Sequence, residues 1–221
     1  MKKIIFLLPV LFSGILSYGL PQRILSNFEE NTGSWSVIEG STAVCLMEQS
    51  SQNATEGYGC LKCTVNFPGE TGIKMLLNEN WTGYQSLMFD MIVTETPIEQ
   101  IKFFVYIKDK EWLWYQTKPQ PVKYGTTKVA INISGSSLDL IPAGHKKPWN
   151  QYSTDQVREI GIKFLSDAKI TQSFYIDNVR LSPVLFSSLK VNRTEVPVYE
   201  KFEISFKTPV YFSNPFDPDC I

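Results

Sequence analysis

Histidine is almost missing from this chain of 221 residues, which contains only His145. Nucleophilic catalysis by a Ser/His/Asp or Cys/His arrangement needs a base beside the nucleophile. His145 lies in residues 142–148, between two prolines and next to two lysines, where a histidine is ordinarily solvated. The sequence therefore argues against a reaction that uses a histidine base.

An excess of charge of one sign is also missing. The chain has 21 basic and 22 acidic residues, a formal net charge of −1, and no run of Lys or Arg. Proteins that bind nucleic acid usually present a basic patch to the phosphate backbone. We therefore expect no nucleic-acid partner.

Long apolar runs are confined to the N-terminus. Lys2 and Lys3 precede the apolar residues 4–16, and residues 17–19 are suited to cleavage, so residues 1–19 are predicted to be a signal peptide. The apolar stretch is shorter than the ~20 residues that a transmembrane helix needs. We expect a protein that is secreted, periplasmic or on the cell surface, without a membrane span.

Cysteines are few: Cys45, Cys60, Cys63 and Cys220. The spacing of Cys60 and Cys63 is that of a redox motif or of half a zinc site, but no second such pair exists and histidine is scarce. Metal or redox chemistry is therefore not expected there. An exported chain can keep disulfides, so a bridge from Cys45 to Cys60 or Cys63 and free buried thiols are both open.

The chain shows no long helical periodicity, and residues of alternating polarity take its place. In residues 101–108, Ile101, Phe103, Val105 and Ile107 share one face, which predicts a strand with one buried side. Similar alternation occurs at residues 86–93, 128–133, 158–165 and 173–181. Residues 61–67 are predicted to form another strand, and residues 37–47 one or two, although Gly40 interrupts that stretch. The pattern predicts an all-β protein, an antiparallel β-sandwich over residues 20–185. The only helical hint is a single turn around residues 154–158, which Ser153 or Thr154 could cap.

Residues 186–221 differ from the part before them. They alternate again at residues 195–208 and then end in a segment rich in Pro, Asp and Asn. We interpret them as a linker and the truncated start of a second β domain. The alternative is an edge strand added to the first domain.

Residues 106–116 contain several aromatic and polar side chains of the kinds that bind a sugar. Sugars present apolar C–H faces ringed by hydroxyls, which aromatic rings and polar side chains recognise. If residues 108–111 connect two strands, the polar-face residues of both strands lie side by side on one sheet surface. The predicted carbohydrate-binding residues are Tyr106, Lys108, Trp112, Trp114 and Gln116, with Lys102, Lys163 and Trp149 as further candidates. The alternative is that one or both of Trp112 and Trp114 belong to the core.

A paired set of catalytic carboxylates is not evident. A glycosidase needs two acids facing each other, one with a raised pKa. The best candidates for an embedded acid are Asp90 and Glu111, which are equally suited to a sheet face or a turn. We therefore expect no catalysis.

The order of several short motifs resembles a known family. They are Phe28-Glu29, Trp35, Gly57-Tyr58-Gly59, Trp81, Tyr84, residues 87–90 and, last, Tyr175-Ile176-Asp177-Asn178. Across residues 25–182 the chain resembles the galactose-binding-like jelly-roll carbohydrate-binding modules attached to bacterial glycoside hydrolases. Residues 196–218 resemble the start of the small β-sandwich domain that precedes a catalytic barrel in such enzymes.

The resemblance implies a non-catalytic module that binds a polysaccharide or oligosaccharide and so holds an exported glycoside hydrolase near its substrate. It also implies a structural Ca²⁺ held by Glu29 and Asp177 with carbonyls of residues 56–59. The alternative is that Asp177 forms a hydrogen bond to a neighbouring loop and binds no metal ion. Two other functions stay open: a structural or adhesion β-sandwich of a cell-surface protein, and the N-terminal fragment of a glycosidase that lacks its catalytic domain.

Overall fold

The structure is a computed structural model that describes residues 21–95, 100–183, 188–191 and 204–207. The predicted signal peptide, residues 1–19, and most of the predicted second domain lie outside the described residues. Within this part of the chain, no helix has the length and apolar character needed to cross a bilayer.

The described residues form strands almost throughout. In chain order the elements are β1 (Arg23–Ser26), β2 (Trp35–Val37), β3 (Val44–Ser50), β4 (Cys60–Asn66), β5 (Gly69–Glu79), β6 (Ser86–Val93), β7 (Lys102–Asp109), β8 (Trp114–Gln116), β9 (Gln120–Pro121), β10 (Gly125–Asn132), β11 (Ile141–Ala143), α1 (Gln151–Thr154), β12 (Val157–Ser166), β13 (Thr171–Ser182), β14 (Ser188–Val191) and β15 (Ile204–Lys207).

Two antiparallel sheets face each other. The six-stranded sheet has the order β10-β6-β13-β4-β3, with β1 also paired to β13. The seven-stranded sheet has the order β11-β8-β7-β12-β5-β2, with β9 also paired to β7. The predicted antiparallel β-sandwich is therefore confirmed. In the tail, β14 and β15 pair with each other in a two-stranded sheet.

The core lies between the two sheets and follows the alternation seen in the sequence. On β7, Phe103, Val105 and Ile107 are buried in it, as are Ile160 and Ile162 on β12. Each such side chain contributes about 1.5–3 kcal/mol when it is fully removed from water. Since successive strand residues point to opposite sides, residues 102, 104, 106 and 108 of β7 lie on the outer face.

The strand β5 and the helical turn are two places where the structure departs from the sequence prediction. The long strand β5 was not predicted, because Gly69 and Gly72 interrupt its apolar pattern. A Cβ at Gly72 would lie 2.2 Å from the carbonyl oxygen of Ile162, so glycine permits a close approach of two backbones there. The single helical turn comes slightly earlier than expected and is capped by the side chain of Asn150, which accepts from the Tyr152 N–H.

Three cysteines are free thiols in this structure. Cys45, Cys60 and Cys63 are all buried, so of the two alternatives the structure shows unpaired thiols. A hydrogen bond with Cys45, together with burial, raises the pKa of Cys63 well above the ordinary range. Burial raises the pKa of Cys60 to about 11. Cys220 lies outside the described residues.

Candidate functional site

The candidate site is the outer face of the seven-stranded sheet, where β8, β7 and β12 run side by side. Cross-strand pairing places Trp114 beside Lys108 and Lys108 beside Glu159. The next row contains Gln116, Tyr106 and Gly161. Residues in one such row lie about 5 Å apart on the same side of the sheet.

Tyr106 lies flat in this surface because the neighbouring strand has a glycine at that point. A Cβ at Gly161 would lie 2.2 Å from the Tyr106 ring, so the ring occupies the space that any other side chain would fill. The indole of Trp114 stacks on the ring from outside, with centroids 3.9 Å apart and planes 13° from parallel. Tyr106 is consequently only 1% exposed, and Trp114 forms the outer layer.

A buried carboxylate holds this pair of rings from below. Glu159 accepts a 2.7 Å hydrogen bond from the Tyr106 hydroxyl, and the Lys108 ammonium lies 2.8 Å from the same carboxylate oxygen. The pKa of Tyr106 is raised far above its ordinary value, mainly by burial and in addition by this hydrogen bond to Glu159. Tyr106 is therefore a fixed neutral donor, and its ring is a rigid support for Trp114.

Trp112 is an exposed aromatic residue beside this pair of rings, with 53% of its surface open. It lies in the turn between β7 and β8 with a positive φ of 62°. The Asp109 side chain holds the turn, since one carboxylate oxygen accepts from the backbone N–H groups of Glu111 and Leu113 at 2.9 and 3.0 Å. We call Trp112, Trp114 and the supporting Tyr106 the aromatic platform.

Two ammonium groups lie close to the outer indole. The Lys108 nitrogen is 5.0 Å from the Trp114 ring centroid and 5.8 Å from that of Trp112. The Lys163 nitrogen is 5.4 Å from the Trp114 centroid. Next to the platform, the side-chain oxygen of Gln116 accepts from the Trp114 Nε1–H at 2.9 Å. Hydrogen-bonding groups thus surround a flat apolar surface.

The structure brings together all five predicted binding residues, with two corrections. Tyr106 lies on the predicted face but is not open to solvent, because Trp114 covers it. Trp112 does not share the strand face of Trp114 and Gln116, because β8 begins only at Trp114 and the indole projects from the turn instead.

The further candidates divide in the same way. Lys102 and Lys163 lie on the outer face, as expected. Trp149 does not, since it is buried in the core and donates its indole N–H to the carbonyl oxygens of Ile133 and Ser134. The alternative that Trp112 or Trp114 is a core residue is wrong.

Sequence reasoning missed Glu159 and Gly161. Both lie on the polar side of the alternating strand β12, where an acid and a glycine are ordinary surface residues. The only available signal was their spacing of two, which puts them on one face with Lys163. That this strand is the neighbour of β7 follows from the sheet order and not from the local sequence.

Glu29 and Asp177, the predicted calcium ligands, both hold the loop that contains residues 55–59. One oxygen of Asp177 accepts from the N–H groups of Thr55 and Glu56 at 2.7 and 3.1 Å, and Glu29 accepts from the Tyr58 N–H at 2.9 Å. Ca²⁺ takes six to eight oxygen ligands. The described residues include no group of three or more His, Cys, Asp or Glu side chains arranged for a metal ion. Loop carbonyls would have to complete the ligand set, and calcium stays a prediction.

The two candidate acids do not form a catalytic pair. Asp90 is buried in the six-stranded sheet, where it lies opposite Asp177. Glu111 lies in the turn after the end of β7, which belongs to the other sheet. A hydrogen bond and the charge of Lys147 lower the pKa of Glu111, which is the opposite of what a general acid requires.

No family model and no curated protein matches this sequence. Solved structures with the same fold are found. The family 11 carbohydrate-binding module of a cellulosomal cellulase of Clostridium thermocellum aligns with a TM-score of 0.54 and 14% identity, over 73% of this chain and 94% of that one. A family 28 module described as specific for non-crystalline cellulose aligns with a TM-score of 0.54 and 13% identity, over 72% and 95%.

A third module, CBM27-1 of Caldicellulosiruptor saccharolyticus in complex with mannohexaose, aligns with a TM-score of 0.53 and 15% identity, over 74% of this chain and 97% of that one. Identities this low establish the architecture alone. The chain has the jelly-roll β-sandwich fold of these carbohydrate-binding modules.

Proposed function

We propose that this protein is a non-catalytic carbohydrate-binding module that binds a polysaccharide or oligosaccharide on the aromatic platform. The observation behind the proposal is the stacked pair of Trp114 and Tyr106, which presents a partly exposed indole on a rigid sheet. The apolar C–H face of a sugar ring stacks on the indole, while its hydroxyls reach Lys108 and Gln116.

The solved structures support a sugar as the ligand. The family 11 module has been solved in complex with a β-1,3-1,4-mixed-linked tetrasaccharide, and the CBM27-1 module with mannohexaose. In the present chain the aromatic platform combines the apolar surface and the polar surround that such ligands require.

We further propose that the module serves an exported glycoside hydrolase. An exo-β-agarase contains a part that aligns with this chain at a TM-score of 0.51 and 14% identity, and the match covers 25% of that enzyme. A module of this fold is therefore compatible with a place inside a larger hydrolase. Attachment to a polymer raises the effective concentration of a linked catalytic domain at its substrate. The predicted signal peptide agrees with a substrate outside the cell.

A glycan panel tests the binding proposal. The purified protein is tested by affinity electrophoresis and calorimetry against soluble β-glucans, mannans, galactans and acidic polysaccharides. We expect Trp114→Ala to weaken binding on the order of 30-fold, the equivalent of a 2 kcal/mol contribution from a central aromatic residue. Trp112→Ala should weaken it less, because Trp112 lies at the rim.

The matched control is Tyr58→Ala. Tyr58 is 85% exposed and lies in the loop held by Glu29, away from the seven-stranded sheet's outer face. Binding that survives both tryptophan substitutions, or that is lost equally in the tyrosine control, would overturn the proposed site. Failure of the wild-type protein to retain any glycan would overturn the function.

A further inference from the structure

Lysines dominate the charged residues around the aromatic platform. The outer face of β5, β7 and β12 contains four lysines, Lys74, Lys102, Lys108 and Lys163, and two glutamates, Glu70 and Glu159. The whole chain has a formal net charge of −1. This face therefore has the sign opposite to that of the protein as a whole.

The two glutamates are already paired. Glu159 pairs with Lys108, and Glu70 forms an ion pair with Lys163. Neither Lys74 nor Lys102 has an ion-pair partner among the residues that the structure describes. The face thus has two ammonium groups in excess.

Charges at the nearby rim do not cancel this excess. Lys147 pairs with Glu111 at 2.6 Å, and Lys110 lies 3.6 Å from Asp155. Each of these pairs is neutral as a unit. The excess positive charge therefore belongs to the sheet face and not to the loops around it.

The positions of the lysines match an extended ligand. Lys108 and Lys163 lie beside the Trp114 ring, where a single stacked sugar would place its substituents. Lys74 lies on β5, where it pairs with Gly161 of β12. Because β5 is three strands away from β8, Lys74 is about 15 Å across the sheet from Trp114. Lys102 lies six residues along β7 from Lys108, about 20 Å away. A chain of several sugars can contact all four ammonium groups.

We propose that the ligand of the aromatic platform is an anionic polysaccharide, one whose sugar rings have carboxylate or sulfate groups. This inference rests on the proposed function and specifies its substrate class. The indole of Trp114 binds the apolar side of a ring, and the lysines bind the anionic groups through charge-assisted hydrogen bonds. Positive charge concentrated on one face also accelerates the approach of a polyanion.

The test compares three probes: polygalacturonate for carboxylates, a sulfated galactan for sulfates, and a mixed-linkage β-glucan as the neutral probe. Affinities are measured by calorimetry in 50 mM and 500 mM NaCl. We expect binding of at least one anionic probe, weakened on the order of tenfold or more by the higher salt, since two released counterions give a steep salt dependence. The anionic probe that binds identifies the substituent.

The variant Lys74→Gln/Lys102→Gln removes the unpaired charges without touching the indole. We expect it to weaken the anionic probe on the order of tenfold in 50 mM NaCl and to flatten the salt dependence. The matched control is Lys128→Gln/Lys169→Gln, which changes the net charge equally at exposed lysines outside this face and should have less than a twofold effect.

The outcomes separate the two proposals. If the neutral glucan binds, Trp114→Ala abolishes this binding and neither anionic probe binds, the anionic ligand is overturned. The proposed function is then left standing. Equal effects of the two lysine pairs also overturn it, because the platform face would then have no special part. No binding of these three probes or of any glycan in the wider panel overturns both.

Discussion

A single methyl group at Gly161 should disturb the aromatic platform from below. In Gly161→Ala the new Cβ would lie 2.2 Å from Cε1 and 2.5 Å from Cζ of Tyr106, whereas ordinary van der Waals contact begins at 3.4 Å. The Tyr106 ring must therefore move outward by more than about 1 Å, and Trp114, which stacks on it, must move as well.

The cost has two parts. Overpacking a tightly filled position typically costs about 1–3 kcal/mol. The outward movement also stretches the 2.7 Å hydrogen bond from the Tyr106 hydroxyl to Glu159, and a bond to a charged group contributes about 1.5–3 kcal/mol. Part of each cost can be relieved by relaxation, so we expect Gly161→Ala to lower the free energy of unfolding by about 2–4 kcal/mol.

A double-mutant cycle in urea measures this effect. In a Tyr106→Ala background the ring is gone, and Gly161→Ala should then cost less than about 1 kcal/mol, with a coupling energy of at least about 1 kcal/mol. Gly161→Ala should also weaken glycan binding, because the indole is displaced. An equal loss of stability in both backgrounds would refute the reasoning, since the methyl group would then be clashing with something other than the ring.

Three other predictions concern Tyr106, Cys60 and the pair Glu29 and Asp177. Burial and Glu159 raise the pKa of Tyr106 above its ordinary value of 10, so the folded state keeps a proton that the unfolded state loses. Stability should be fully present below pH 10 and decline above it, less steeply in Tyr106→Phe, and equal slopes in urea melts would contradict this. With a pKa of about 11, Cys60 should resist iodoacetamide in the native protein near pH 8 and react after denaturation; rapid native labelling, read by mass spectrometry, would contradict its burial. Calcium at Glu29 and Asp177 predicts a melting midpoint that a chelator lowers and added CaCl₂ restores; an unchanged midpoint would leave the loop held by hydrogen bonds alone.

Much of the sheet face was predictable because strand periodicity is a local property. The alternation of β7 places Phe103 and Val105 in the core, and Tyr106 and Lys108 on the opposite side, without any knowledge of the neighbouring strands. The short separation between β7 and β8 likewise brings Trp114 beside Lys108. These steps depend only on residues close together in the sequence.

The support of the platform was not predictable, because it depends on a distant strand. Gly161 and Glu159 are more than 50 residues from Tyr106 in the sequence, and only the sheet order makes them its neighbours. The burial of Tyr106 follows from that contact and from the stacked indole. The sequence pattern predicted Trp112 to lie on the same strand face as Trp114, which is wrong. Its backbone has a positive φ, which a tryptophan rarely adopts and which a sequence pattern does not reveal.

Asp109 makes the turn that contains Trp112 rigid before any ligand binds. Besides the two backbone N–H groups that its carboxylate binds, Asp109 accepts from the Trp112 N–H through its carbonyl at 2.9 Å and donates its own N–H to the Leu113 carbonyl at 3.3 Å, so the turn is closed on itself. The backbone that bears the Trp112 indole is thereby fixed before any encounter, and the loss of backbone freedom in this turn has already occurred during folding. If a polymer binds on the aromatic platform as proposed, its capture needs no backbone rearrangement at this edge, and the residence time is set by the contacts themselves.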